Sequence, residues 1–151
     1  MAEQMKDKAE LKDWYRKVLD ATVREMLKVR AIRGAAIEAA PIWASPNEVL
    51  IAKVWDATQK SQFIWTISGE KVATDHIPGS MAVTAQDAAR HFALKWQMDA
   101  ERLTEAAKTR TSVEQAEAHM QDYTAKLVKQ AEMLYDMTTD DEAWKRKATV
   151  Q

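Results

Sequence analysis

The stretch DHIPG, Asp75 to Gly79, sets a histidine directly beside a carboxylate in a segment rich in turn-forming residues. An imidazole titrates near neutrality, so such a pair can act as a general base or as a ligand. Aspartate in a turn also hydrogen-bonds its own backbone, which is the plainer use of the same residues. The other two histidines offer less. His91, inside DAARHFALKW, stands beside an apolar helical stripe and reads as a helix histidine with a hydrogen-bond partner. His119 and Asp122 are three apart on a later helix, but two donors fall short of the three protein ligands a zinc site needs. No GxSxG elbow, GxxxxGK[ST] phosphate loop, GxGxxG turn, HExxH pair or EF-hand spacing occurs. The carboxylates lie mostly in helical ladders, and Glu38 is the one within a strand pattern, so there is no acid/base pair. No catalytic residue, metal or cofactor is therefore assigned.

Tryptophan is the unusual residue, with six in the chain. Three fall on successive apolar segments: Trp43 in GAAIEAAPIWA, Trp55 in VLIAKVWD and Trp65 in SQFIWTIS. Strand alternation puts Trp55 with Lys53, Ile51 and Val49, and Trp65 with Phe63 and Ile67. The other set, Leu50, Ala52, Val54 and Ile64, is slimmer. Both faces are apolar, so both need cover. In one packing the helices bury the tryptophans, as aromatics dominate ordinary cores. In the other the helices lie on the slim face and the tryptophan face stays outward as a contact surface. Lys53 among the large residues favours a face that is not fully dry.

These residues must be positioned by a small number of elements. A first helix is predicted from Lys6 to Lys28 or Arg30, with Leu11, Trp14, Tyr15, Val18, Thr22 and Met26 in one stripe and Gly34 as its terminator. Three strands follow: Gly34–Ala44, Val49–Trp55 and Gln62–Ser68. Pro41 suits an edge position, since its missing N–H is harmless there. The turns Ser45–Glu48 and Asp56–Ser61 are too short for parallel returns, so the strands form an antiparallel meander with VLIAKVW in the middle. Gly69–Val83 reads as an irregular link. Thr84 with Asp87 is a variant capping box opening a helix to Lys108, with Ala85, Ala89, Phe92, Trp96, Ala100, Leu103 and Ala107 on one face. TSVE, Thr111 to Glu114, opens the last long helix, where Val113, Met120, Leu127 and Leu134 recur every seven residues. TDDE, Thr139 to Glu142, opens a short terminal turn carrying Trp144. The expected class is α+β, in the order α-β-β-β-α-α plus a short C-terminal helix.

Length and charge narrow the function further. At 151 residues with 46% hydrophobic and 30% charged residues, one domain over 1–151 is expected. The net charge of −1 lacks the basic footprint of a nucleic-acid binder. No segment reads as a membrane span, and the opening MAEQMKDKAELKDWY lacks the apolar core of a leader, so a cytoplasmic protein is expected. The absence of cysteine excludes disulfides and thiolate chemistry. The first 34 residues hold nine Lys/Arg against six Asp/Glu, and the last 41 hold five against eight, which reads as ordinary solvated helix faces.

The strings IAKVWDATQK, TDHIPG and FALKWQMDAERL resemble a small uncharacterised family of gammaproteobacterial proteins, over roughly Leu11 to Trp144. The resemblance implies a stand-alone bacterial cytoplasmic protein and carries over no activity, substrate or catalytic residue. The functional expectation is a non-enzymatic interaction protein of adaptor or immunity type, self-associating or holding a protein partner through Trp43, Trp55, Phe63 and Trp65. The alternative is a small-ligand pocket, or a slow hydrolase. Its rim is Asp75–Gly79, its walls are Trp65 and Trp96, and His76 or Lys53 orients a polar group.

Overall fold

VLIAKVWD is apolar on both faces because it runs through the middle of the molecule. The computed structural model describes residues 2–109 and 114–145. It places helices on both sides of one antiparallel sheet. The elements are α1 (Ala2–Lys28), β1 (Ile37–Ser45), β2 (Val49–Asp56), β3 (Ile64–Ser68) and β4 (Asp75–Pro78). A single 3-10 turn (Gly79–Met81) leads to α2 (Ala85–Thr109), then α3 (Glu114–Thr138) and α4 (Asp141–Trp144). The class is α+β, and the sheet is a meander of four strands in the order β1-β2-β3-β4. The expected three become four because β4 lies within the link read as irregular. Four residues ending in proline carry too little alternation to register as a strand.

The two faces are covered by complementary means. Leu50, Ala52 and Val54 present a slim surface, and α1 fills it with bulk: Tyr15, Met26 and, partly buried, Leu11, Trp14 and Val18. Val49, Ile51, Trp65 and Ile67 present a bulky surface, and α2 approaches it through Ala85, Ala88, Ala89, Ala93 and Ala100 around Phe92 and Trp96. Large against small is the pairing that lets two layers interdigitate closely. The helix α3 returns antiparallel to α2, since Gln86 near the start of α2 donates to the Thr138 carbonyl at the end of α3, 2.9 Å away. Leu127, Ala131 and Leu134 close the same core.

A bulge decides where Trp43 goes. Pro41 pairs with Ala52 but Trp43 pairs with Ile51, so Ile42 is an extra residue in β1. The slip moves Trp43 onto the α2 side, where it is buried and stacks on Trp144 with centroids 3.8 Å apart. Its indole N–H donates to the Ala143 carbonyl, which fastens α4 over the sheet.

The turns and caps differ in part from the expected ones. Pro46 and Asn47, the latter at φ 65°, with Glu48 N–H donating to Ser45, have the signature of a type II turn. Thr84 caps α2 through its hydroxyl, which accepts from the Asp87 N–H at 3.1 Å. The terminator of α1 is Arg30 and not Gly34. Ala31 N–H bonds Met26 and Arg30 N–H bonds Leu27, a Schellman closure with Arg30 at φ 61°. Gly34 is instead held against the Asp56 carboxylate, where any Cβ would collide. The short helix α4 forms, but its N-cap is Asp140, whose side chain makes no capping bond. The TSVE box and Val113 lie outside the described residues.

Candidate functional site

Beyond the open edge of β4 lies a cleft of about 840 Å³. Its floor is β4 with the ends of β3 and the turn before it, Ser61 to Ile64. One wall is α2, and Ala31 after α1 closes the other side. The cleft exists because α1 packs across β1, β2 and β3 and leaves β4 uncovered on that side. Helix α2 carries two stripes. One is the alanine-rich core stripe. The second is His91, Leu94, Lys95, Met98, Asp99 and Arg102, spaced by threes and fours, and it faces the cleft.

Asp75 holds the two walls together. One carboxylate oxygen accepts from the Lys95 ammonium at 2.7 Å and from the His76 backbone N–H at 2.8 Å. The other accepts from the Trp96 indole at 2.9 Å. Lys95 is thereby neutralised, while His76 reaches the acid only through its backbone. The adjacent Asp–His pair of the sequence is therefore a structural clamp. The imidazole of His76 itself is half-buried and lines the cleft opposite His91.

The edge of β4 is closed to a fifth strand. Gly79 N–H bonds the Phe63 carbonyl, which fixes the ladder phase and turns the backbone of His76 and Pro78 outward. The His76 N–H is taken by Asp75, Pro78 has none, and Pro78 also opens the 3-10 turn. Proline and a capped donor are two devices that keep an edge from templating strand addition.

The remaining expected site residues are distributed as follows. Trp43 and Trp65 are buried, Trp65 to within 1% of complete, and the Trp65 indole donates to the Ala82 carbonyl at 3.0 Å. Trp96 is buried and serves the Asp75 clamp, so Trp65 and Trp96 stand behind the cleft and do not wall it. The outward tryptophan face is thus corrected: alanines on α2 let a helix lie over it. Trp55 stays half-exposed and donates across the ladder to Glu38 at 3.1 Å. Lys53 sits over Phe63, 4.5 Å from the ring centroid, and 5.0 Å from the Trp65 ring, at the margin of this core. Of the expected residues, the cleft brings together Phe63 and His76, with Ile77, Pro78 and Gly79 of the expected Asp75–Gly79 rim. The missed residues are those of the second α2 stripe. Their signal was present in the sequence as Leu94 and Met98, four apart and off the core face.

His119 and Asp122 are both exposed on α3. Among the described residues no three His, Asp or Glu side chains gather to hold a metal. No helix among them is long and apolar enough to cross a membrane. No curated protein and no solved structure matches the chain. One family model does match, over residues 8–144, and with nearly the whole fold inside that span the chain belongs to the family defined as domain of unknown function DUF4826.

Proposed function

We propose that this is a binding protein that holds a small organic ligand in the cleft between β4 and α2. The observation that supports the reading is the cleft's size and make-up. A concavity of about 840 Å³ with Phe63, Leu94 and Met98 as apolar lining and a few convergent polar groups matches the usual form of ligand sites. The setting we infer is the bacterial cytoplasm, on the strength of the resemblance in the sequence strings. A binding role is favoured over hydrolysis because the carboxylate beside His76 is occupied by Lys95, Trp96 and a backbone N–H.

The test is a screen of small apolar and amphiphilic compounds by ¹H–¹⁵N NMR on the whole chain and on Leu94→Glu. Leu94 is 53% exposed, so the variant should fold unchanged. Ligands should shift amides in 76–81 and 91–102 and lose their effect in the variant. Shifts elsewhere, or shifts that persist in Leu94→Glu, would sink the reading.

A second reading, association with another copy or a protein partner, is favoured by one observation. Met81, Val83 and Leu94 line a neighbouring hollow and are 47%, 87% and 53% exposed. Exposed methionines and aliphatics in one strip are characteristic of contact surfaces. Native mass spectrometry should then show a dimer that Val83→Glu converts to monomer. A wild-type monomer at high micromolar concentration would remove self-association.

A further inference from the structure

Two ion pairs along α2 set an acid three residues before a base. Asp87 reaches Arg90 at 3.3 Å, and Glu105 reaches Lys108 at 3.3 Å. Asp99 and Arg102 have the same spacing and the same order, yet they form no ion pair within 4 Å. Neither has another salt-bridge partner among the described residues. Both line the cleft. Asp99 is half-buried there, and Arg102 lies at the end away from Ser80 and Met81. Lys95, the other formal charge in the cleft, is already satisfied by Asp75. What faces the cleft is therefore one available anion and one available cation, a helical turn apart, beside Leu94, Met98 and Phe63.

We propose that the ligand is a zwitterion with an apolar body, of the class of aromatic amino acids and their small derivatives. Its carboxylate lies on Arg102, its ammonium on Asp99, and its ring against Leu94, Met98 and Phe63. Neighbouring side chains on a helix stand about 5–6 Å apart at their Cβ atoms, a span that a ligand carrying both charges on one carbon can bridge. Arginine suits the carboxylate because its planar fork donates two parallel bonds. A peptide strand is disfavoured, since the β4 edge has no free donor to extend the ladder. The inference rests on the cleft being the working site.

The experiment compares three probes on the whole chain by ¹H–¹⁵N NMR titration: L-tryptophan, tryptamine and indole-3-propionate. Tryptamine lacks the carboxylate and indole-3-propionate lacks the ammonium. Each should bind at least about tenfold more weakly than tryptophan, the loss of roughly one charge-assisted hydrogen bond. Arg102→Gln should erase the advantage of tryptophan over tryptamine, and Asp99→Asn its advantage over indole-3-propionate. Arg102 is exposed, and asparagine replaces the half-buried Asp99 at equal size, so neither variant threatens the fold. If all three probes shift the cleft amides with equal affinity, the zwitterion assignment is overturned and the cleft reading stands. If none of the three shifts them while other compounds do, the ligand class is wrong. If no compound of any class shifts them, both readings fall.

Discussion

Asp75 shows how much one carboxylate can organise. It receives a backbone N–H, an ammonium and an indole, and so ties the edge strand to the middle of α2. Replacing it with alanine leaves the buried Trp96 N–H without an acceptor and Lys95 without its partner. We expect Asp75→Ala to lower the unfolding free energy by about 3 kcal/mol, read from the urea midpoint. Asp75→Asn keeps the shape but only one of the two acceptor oxygens, and its amide NH2 faces a donor, so it should cost about 2 kcal/mol. An unchanged midpoint in the isosteric Asp75→Asn would show that the side chain only fills space. Tyr15 carries a different consequence. Burial against Leu50 and Ala52 pushes its phenol above the usual value of 10.0, because the phenolate is the form that burial disfavours. Above about pH 10 the unfolded chain releases a proton that the folded chain retains, so stability is full below that pH and falls as pH rises through the raised value. Tyr15→Phe should therefore lose less stability than wild type between about pH 9.5 and pH 11.5 in thermal melts. Parallel curves would count against this.

The elements owe their ends to different devices, and these were unequally legible. Thr84 was readable as a cap because a hydroxyl three residues before an acid is a local signal, and local geometry sufficed to satisfy it. The end of α1 was not, since arginine in the left-handed region runs against intrinsic preference. It is held there by the bonds of Ala31 and Arg30 to the last turn. Glycine meets that conformation with no Cβ penalty, so Arg30→Gly should stabilise the protein by about 1 kcal/mol, a rise of roughly 2–4 °C in melting temperature. A fall would mean that the Arg30 side chain makes contacts that outweigh its backbone. Strand β4 escaped notice for a related reason. Its four residues are a strand because Ile64 to Ile67 are already placed beside them, and the alternation within DHIP is too short to say so. The bulge at Ile42 is equally silent in the sequence, although it decides which layer receives Trp43.

At the scale of the whole molecule, the chain is three layers: α1, a four-stranded sheet, and the α2–α3 pair with α4 at its end. Stability should be graded accordingly. From Val49 to Ala52, and again at Val54, β2 is fully buried between the layers, whereas β4 is an edge with an open cleft beside it. Amide hydrogen exchange should be slowest in β2, at the rate set by global unfolding, and faster in β4 through local opening. Comparable protection in the two strands would contradict this grading. The sequence by itself determined the α+β class, the antiparallel meander and the helical stripes, because these follow from periodicity and from turns too short for any other connection. It also showed two apolar sheet faces, and hence the need for two covers. Only the tertiary structure decided which helix lies where. That depends on matching bulk to space across the layers, with the alanines of α2 over Trp65 and the large side chains of α1 over Ala52. The cleft arose from the same decision. It is the volume left where α1 stops short of β4, so it belongs to no segment and could be read from none.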